Sequence, residues 1–265
     1  MIDIHCHLND EQYAGEVEQI VANFLDAGIS KVVCASSDFH ACQLAKEIAS
    51  QYDCVYYAVG IHPDECQTYD QQRLEKFLQA NDPKLVAVGE IGLDYFEHNL
   101  LDENGDQIHK DKEKQKQVFA SQIDLANKYH LPVVIHCRDA YGDTMEILKS
   151  HTPQYGFEFH CYSGSLEYAK QLIKMGGKLS FTGNVTFKNA KNIQQVAANI
   201  PTDCIMFETD SPYLTPVPNR GKRNEPKYVK DVLNFVADLR GIPAKELEDI
   251  SDRNAHNFFK FKAKI

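Results

Sequence analysis

Residues 2–8 read Ile2-Asp3-Ile4-His5-Cys6-His7-Leu8, an apolar run that carries two histidines two positions apart. In an extended strand, residues i and i+2 point to one face, so His5 and His7 are placed to grip one metal ion. A strand with two surface or core imidazoles is the plainer account, and the rest of the chain has to decide between them. Similar short apolar runs recur at residues 31–36, 55–60, 85–91, 132–136, 156–160, 177–182 and 204–210, giving eight strand candidates with 2–7. Between them, residues 15–27, 39–50, 71–80, 111–129, 140–149 and 165–175 carry apolar residues at helical spacing. A shorter helix is expected after the seventh strand, and residues 226–240 and 244–259 complete the series. Parallel strands linked by helices define an α/β fold. Eight such units predict a closed (β/α)8 TIM barrel, a single domain over residues 1–265.

With 43% hydrophobic content, the 265-residue chain can bury a large core. No linker, low-complexity tract or repeat divides it. The first strand lacks the basic and apolar regions of an export signal, and no run of about 18 apolar residues occurs, so the cytoplasm is the expected compartment and no membrane is involved. Eight cysteines without a Cys-x-x-Cys pair suit free thiols in a reducing compartment. Cys6, Cys137 and Cys161 neighbour histidines, and strand alternation is expected to turn their thiols away into packing. A formal net charge of −10 argues against a protein that coats nucleic acid non-specifically. A phosphate-bearing substrate would then need a local basic patch or metal ions. The irregular stretch 97–112 is polar and long for a βα loop, which suits either a solvated excursion or a substrate lid.

In a (β/α)8 barrel, functional side chains gather at the C-terminal ends of the strands. His5 and His7 end the first candidate strand, Glu90 the fourth, His136 the fifth, His160 the sixth and Asp210 the eighth. Taken singly, His136 or His160 fits a satisfied buried histidine, and Asp210 before Ser211-Pro212 fits a turn. Together they form a donor set larger than the three protein ligands of one open catalytic zinc. Two divalent metals account for it: His5, His7, Glu90 and Asp210 hold one, while Glu90, His136 and His160 hold the other, with Glu90 as the bridge.

The order His5-x-His7, Gly60-Ile61-His62-Pro63, Gly89-Glu90-Ile91-Gly92-Leu93-Asp94-Tyr95, Val134-Ile135-His136-Cys137-Arg138-Asp139-Ala140, His160-Cys161-Tyr162-Ser163-Gly164 and Glu208-Thr209-Asp210-Ser211-Pro212-Tyr213-Leu214 resembles the TatD family of metal-dependent hydrolases, within the wider amidohydrolase group. The resemblance runs from Ile2 to Phe259. It implies the barrel, a dinuclear site on the six residues named above, and hydrolase activity, most often described as deoxyribonuclease. Two departures bear on substrate preference rather than on metal: Asn9 stands where many relatives have Asp, and the stretch 97–112 looks longer than usual.

Further residues are placed for the metals' surroundings or for substrate. Glu208, two before Asp210, can orient a ligand histidine or form a structural ion pair. His62, held extended before Pro63, suits a substrate or phosphate contact better than metal ligation. Asp94 and Arg138 are further candidates. Lys188 and the cluster Arg220, Lys222 and Arg223 follow strands seven and eight, where this fold often binds phosphate, although a solvated positive turn is also reasonable.

The leading expectation is a dinuclear phosphodiesterase acting on DNA, probing from an end because no long basic track exists. A water of lowered pKa would attack phosphorus with Asp210 taking its proton, so Asp210 and Glu90 carry the catalytic roles. Ester or amide hydrolysis, such as removal of a D-amino acid from transfer RNA, uses the same site chemistry. A catalytically idle metal-binding scaffold is the alternative from another class. The donor set admits zinc, manganese, iron or nickel, with magnesium at a loosely held position. No obligate protein partner is indicated.

Overall fold

The computed structural model describes residues 1–97 and 109–261. Strands and helices alternate as β1 (Ile2–Cys6), α1 (Val17–Ala22), α2 (Phe24–Ala27), β2 (Lys31–Cys34), α3 (Phe39–Gln51), β3 (Val55–Val59), α4 (Gln71–Gln79), β4 (Leu85–Asp94), α5 (Lys112–Lys128), β5 (Val133–Arg138), α6 (Tyr141–Ser150), β6 (Phe157–Phe159), α7 (Leu166–Lys174), β7 (Lys178–Phe181), α8 (Lys191–Asn199), β8 (Ile205–Phe207), α9 (Val229–Arg240) and α10 (Ala244–Phe259). The strands pair in parallel in chain order, which is the arrangement of a TIM barrel. Helix starts follow capping chemistry: the side chains of Asp38, Asp70, Asp111 and Ser165 accept the backbone N–H groups of Ala41, Arg73, Lys114 and Tyr168. No helix among the described residues is long and apolar enough to cross a membrane.

The barrel closes between its first and last strands by a seam rather than a full ladder. Asp210 N–H donates to the His5 carbonyl at 2.9 Å, His7 N–H to the Ser211 carbonyl at 2.7 Å, and Cys6 bridges Ser211. Below these bonds, the buried Asp3 carboxylate accepts the Thr209 N–H at 3.0 Å and the Thr209 hydroxyl at 2.6 Å. A side chain thus replaces backbone pairing where β1 and β8 diverge. Burial, only partly opposed by these bonds, pushes the Asp3 carboxyl up to about 7.

Two register shifts decide which side chains face inward. Ile2, Ile4, Val33, Tyr56, Val134 and Met206 touch in one cluster with Phe258 and Phe259 of α10. Residues of β1, β2, β3, β5 and β8 meet only inside the barrel, so this cluster fills its N-terminal end. Strict alternation from Ile2 and Ile4 would point His5 and His7 outward. An extra residue between Asp3 and Cys6, relative to β2, reverses the parity, and Cys6 joins the outer core beneath the helices. In β4 an extra residue between Val88 and Ile91, relative to β5, does the same for Glu90.

Several strand limits differ from the sequence expectation: β1 stops at Cys6, just before His7, and β5 runs past His136 to Arg138. β4 extends to Asp94, so Glu90 lies within the strand, in the irregularity against β5, with its N–H donated to the Ser36 carbonyl at 3.0 Å. β6 and β8 stop at Phe159 and Phe207, so His160 and Asp210 sit on the turns that follow. The helix after β7 is as long as α7, nine residues each, but begins only after a 3-10 turn over Gly183–Thr186.

Candidate metal centre

At the C-terminal end of the barrel the six metal-capable side chains form two groups around one carboxylate. The His7 Nε2 and His5 Nε2 atoms lie 3.2 Å and 3.8 Å from Asp210 Oδ1. Opposite them, His136 Nδ1 and His160 Nε2 approach to 3.1 Å. Glu90 stands between the groups. Its Oε2 is 3.5 Å from His5 and 3.9 Å from His7, while its Oε1 is 2.6 Å from His160 and 2.9 Å from His136.

Local sequence explains how the backbone reaches these positions. Gly92 has φ +145°, and a Cβ there would fall 1.9 Å from the His136 carbonyl oxygen, so only glycine lets β4 run this close to β5 beside Glu90. Asp210 has φ +52°, a left-handed conformation that aspartate tolerates better than most residues, and its N–H is held by His5. From α5, Gln115 and Gln122 reach down two turns apart. Gln115 bonds both backbone groups of Asp94 at 3.0 and 3.1 Å, and Gln122 both of Ile61 at 2.8 and 3.0 Å. One helix therefore sets the ends of β3 and β4, next to His62 and Asp94. Reading the sequence by apolar spacing passed over these glutamines; their signal is a buried polar pair on the inward face of a helix.

Hydrogen-bond partners fix two tautomers. His136 Nε2 lies 2.9 Å from Asp94 Oδ2, so in the neutral imidazole Nε2 carries the proton and Nδ1, facing Glu90 and His160, is the nitrogen left for a cation. His62 Nδ1 accepts the Asp64 N–H at 3.1 Å, so its Nε2 carries the proton and points toward Glu90 Oε1, 3.7 Å away. His62 is thereby brought into the same cluster as Glu90 and His136. A protonated Nε2 is a donor rather than a ligand, in keeping with a substrate contact.

The donor set fits a cation. Both ring nitrogens of His5 and the Nδ1 of His160 are buried without a hydrogen-bond partner among the described residues. Lone pairs and carboxylate oxygens converge on the space between the two groups, an arrangement that only positive charge relieves. Titration follows the same logic. Burial works against ionised Glu90, yet His160, His136 and His5 around it hold it well below the usual carboxylate range. Burial would lower His136 too, but its bonds to Asp94 and Glu90 raise it to about 9. His5, desolvated by burial and beside His160, falls to about 4. Asp210 stays below its ordinary value because His7 outweighs burial.

The remaining candidates are dispersed. Glu208 is buried, 3.8 Å from His160 Nδ1, and accepts the Cys161 N–H at 2.6 Å and the Ser180 hydroxyl at 2.9 Å. Burial, together with Glu158 and Asp210, pushes it well above the usual carboxylate range. Arg138 lies over the Phe96 ring, and Arg220 over Phe187. Lys188 and Lys222 are exposed on their loops. Arg223 departs from the phosphate expectation: it grips Glu16 through both terminal guanidinium nitrogens at 3.1 and 2.6 Å, and covers Tyr13, tying the loop after β8 to that after β1. Asn9 donates to the Ala35 and Ala41 carbonyls at 3.0 and 3.1 Å, bonds an aspartate could not make. Cys6 and Cys137 are buried as expected, but Cys161 is not in the core. Its φ of +45° ends strand alternation, and its thiol lies beside Asn184 in a cavity next to His160. Most of the stretch 97–112 lies outside the described residues.

Above the metal-capable groups opens a cavity of about 360 Å³. Asn9 lines its far walls together with Asp10, Ser37, Asp38, His40 and Tyr213, which were not among the sequence candidates. Tyr213 is about half exposed and donates its hydroxyl to Asp10 at 2.6 Å.

Comparison with known proteins agrees with this arrangement. The profile of the family described as TatD related DNase matches residues 2–260. The metal-dependent hydrolase YabD of Bacillus subtilis is 40% identical over 263 residues, spanning 98% of this chain and 99% of that protein. YcfH of Escherichia coli, also described as an uncharacterized metal-dependent hydrolase, is 31% identical over 268 residues, 99% of this chain and 97% of that protein. The crystal structure of YjjV, a TatD homologue from Escherichia coli, superposes with a TM-score of 0.90 at 28% identity and covers 98% of both chains. A chain matched from end to end in sequence and in fold, with histidines and carboxylates gathered at the catalytic end of its barrel, belongs to the TatD family of metal-dependent hydrolases.

Proposed function

We propose that the protein is a dinuclear phosphodiesterase that removes nucleotides from an end of DNA. The observation that carries this reading is the division of Glu90, whose two oxygens face opposite histidine groups. His5, His7 and Asp210 with Glu90 would hold one divalent cation, and His136, His160 with Glu90 the other; zinc, manganese, nickel, iron and magnesium suit such donors. Bound there, divalent cations supply Lewis acidity toward a phosphoryl oxygen and lower the pKa of water. Asp210, ionised and at the edge of the cavity, accepts the proton from the attacking water. His62 offers its Nε2 proton to a phosphoryl oxygen. Tyr213, exposed beside His7, presents an aromatic face to a base, and Arg138 a cation at the rim. With its strong net negative charge and no basic track, the chain suits a free end better than an internal site. Eight free cysteines suit the reducing cytoplasm, and the barrel works as one domain without an obligate partner.

A second reading, hydrolysis of an aminoacyl ester or amide, draws support from the wide cavity. Asp10 and Asp38 line it, and no Lys or Arg does among the described residues. Such a wall suits a substrate bearing an ammonium group. The deciding experiment incubates metal-reconstituted protein with end-labelled single-stranded DNA and, separately, with aminoacyl esters, each beside Asp210→Ala. Stepwise shortening lost in the variant supports the exonuclease; ester cleavage without DNA cleavage replaces it with the second reading.

A further inference from the structure

Beside the second histidine group lies a cluster that no metal assignment uses: His62, Asp64 and Asp94, close enough together to hold a cation. A cation is already there. The Lys110 ammonium lies 2.6 Å from Asp94 Oδ1 and 2.7 Å from Asp64 Oδ1, with its side chain only 11% exposed. Each aspartate is coupled to a different histidine. Asp94 accepts a hydrogen bond from His136 Nε2–H through its other oxygen, and Asp64 donates its backbone N–H to His62 Nδ1. The backbone of Asp94 is clamped by Gln115, and Phe96 N–H adds a bond of 2.9 Å to the oxygen that meets Lys110. Lys110 is anchored in turn, because its own N–H donates to Glu97 Oε1 at 3.0 Å.

We propose that Lys110 is a positioning residue, a tethered cation that fills the His62–Asp64–Asp94 cluster, fixing the His136 imidazole through the Asp94 carboxylate and the His62 imidazole through the Asp64 residue whose backbone N–H it accepts. Three physical points support it. Two carboxylates this close to one point repel unless a positive charge lies between them. Without Lys110, Asp94 would be free to turn from His136, and the tautomer that leaves Nδ1 open would lose its enforcement. A lysine, unlike a dissociable ion, cannot be drawn away to the neighbouring donors, so the cluster does not compete with them for metal. The inference rests on the dinuclear reading of Glu90, His136 and His160, but it does not depend on which bond is cleaved.

The test compares Lys110→Met, Lys110→Ala and Lys110→Arg with the unaltered protein, first by manganese and zinc binding isotherms on the metal-stripped chain. The methionine variant is expected to bind the more weakly held equivalent about 10- to 100-fold less tightly, with the other unchanged, and arginine to restore most of the loss. In the alanine variant the emptied carboxylate cluster is expected to take up one additional equivalent of manganese. Where a hydrolytic substrate is in hand, kcat should fall with KM nearly constant. Unchanged isotherms in all three variants would overturn the proposal, as would a rise in KM alone, which would make Lys110 a substrate contact. A lower Tm with normal metal binding would reduce it to a structural ion pair and overturn it too. Isotherms need no substrate, so failure of the DNA reading would leave this result intact.

Discussion

At the N-terminal end of the barrel, Ile2, Ile4, Val33 and Met206 are sealed by Phe258 and Phe259 of α10 into an apolar plug, whereas at the other end the same ring of strands presents three buried imidazole nitrogens without a partner among the described residues. The plug packs apolar side chains on one another, burial worth about 2 kcal/mol each. The catalytic end instead gathers electron pairs that a cation would relieve. Stability is concentrated where no chemistry occurs, and unmet electrostatic demand where it does. The two ends should therefore respond independently to change.

The largest expected effect is on the polar end. Glu90→Gln should lower the hydrolytic kcat/KM by about 10⁴-fold or more, ~5 kcal/mol of barrier, while circular dichroism shows an intact barrel; near-normal turnover would refute the shared-carboxylate assignment. On the apolar end, Phe258→Ala should cost about 3–5 kcal/mol in denaturant unfolding, yet leave the activity of the folded fraction unchanged. Metal at a hundredfold excess over its Kd should stabilise the protein by about 2.7 kcal/mol. The same increment in the Phe258→Ala background would show that the ends are uncoupled; a markedly different one would join them. The smallest effect concerns pH in the metal-free chain. His5, at about 4 when folded, stays neutral while the unfolded chain protonates near 6.5, so its contribution is lost as pH falls from 6.5 toward 4. His136, at about 9, contributes fully below 6.5 and loses that contribution as pH rises toward 9. The His136 share should thus fade between pH 6.5 and 9, and metal should remove that decline by replacing the His136 proton, read as the pH dependence of the difference in melting temperature with and without metal.

The plug and the donor set differ in how they show in sequence. Apolar runs at fixed spacing announced all eight strands, and six metal-capable residues near their ends were legible as candidates, because both depend on residue type and order. What periodicity could not show was parity. Counting alternate residues from Ile2 puts His5 on the wrong face, and only the register shift against β2 turns it inward. Cys161 was misplaced for the same reason, since a left-handed residue after β6 cancels alternation. Arg223 looked like a phosphate ligand because Glu16, its partner, is 207 positions away. Gln115, Gln122 and Lys110 act through long-range bonds that leave no local pattern.

The seam between β1 and β8 gives the first histidine group a role besides chemistry. His7 and Asp210, 203 positions apart in the chain, would grip one ion across the line where backbone pairing is thinnest. Because such an ion binds the folded chain and not the unfolded one, its binding free energy adds to the few bonds that close the ring. The metal would then be a clasp on a ring: with it bound, hydrogen exchange at the His7 and Asp210 amides, which form the seam, should slow more than exchange at the N-terminal plug.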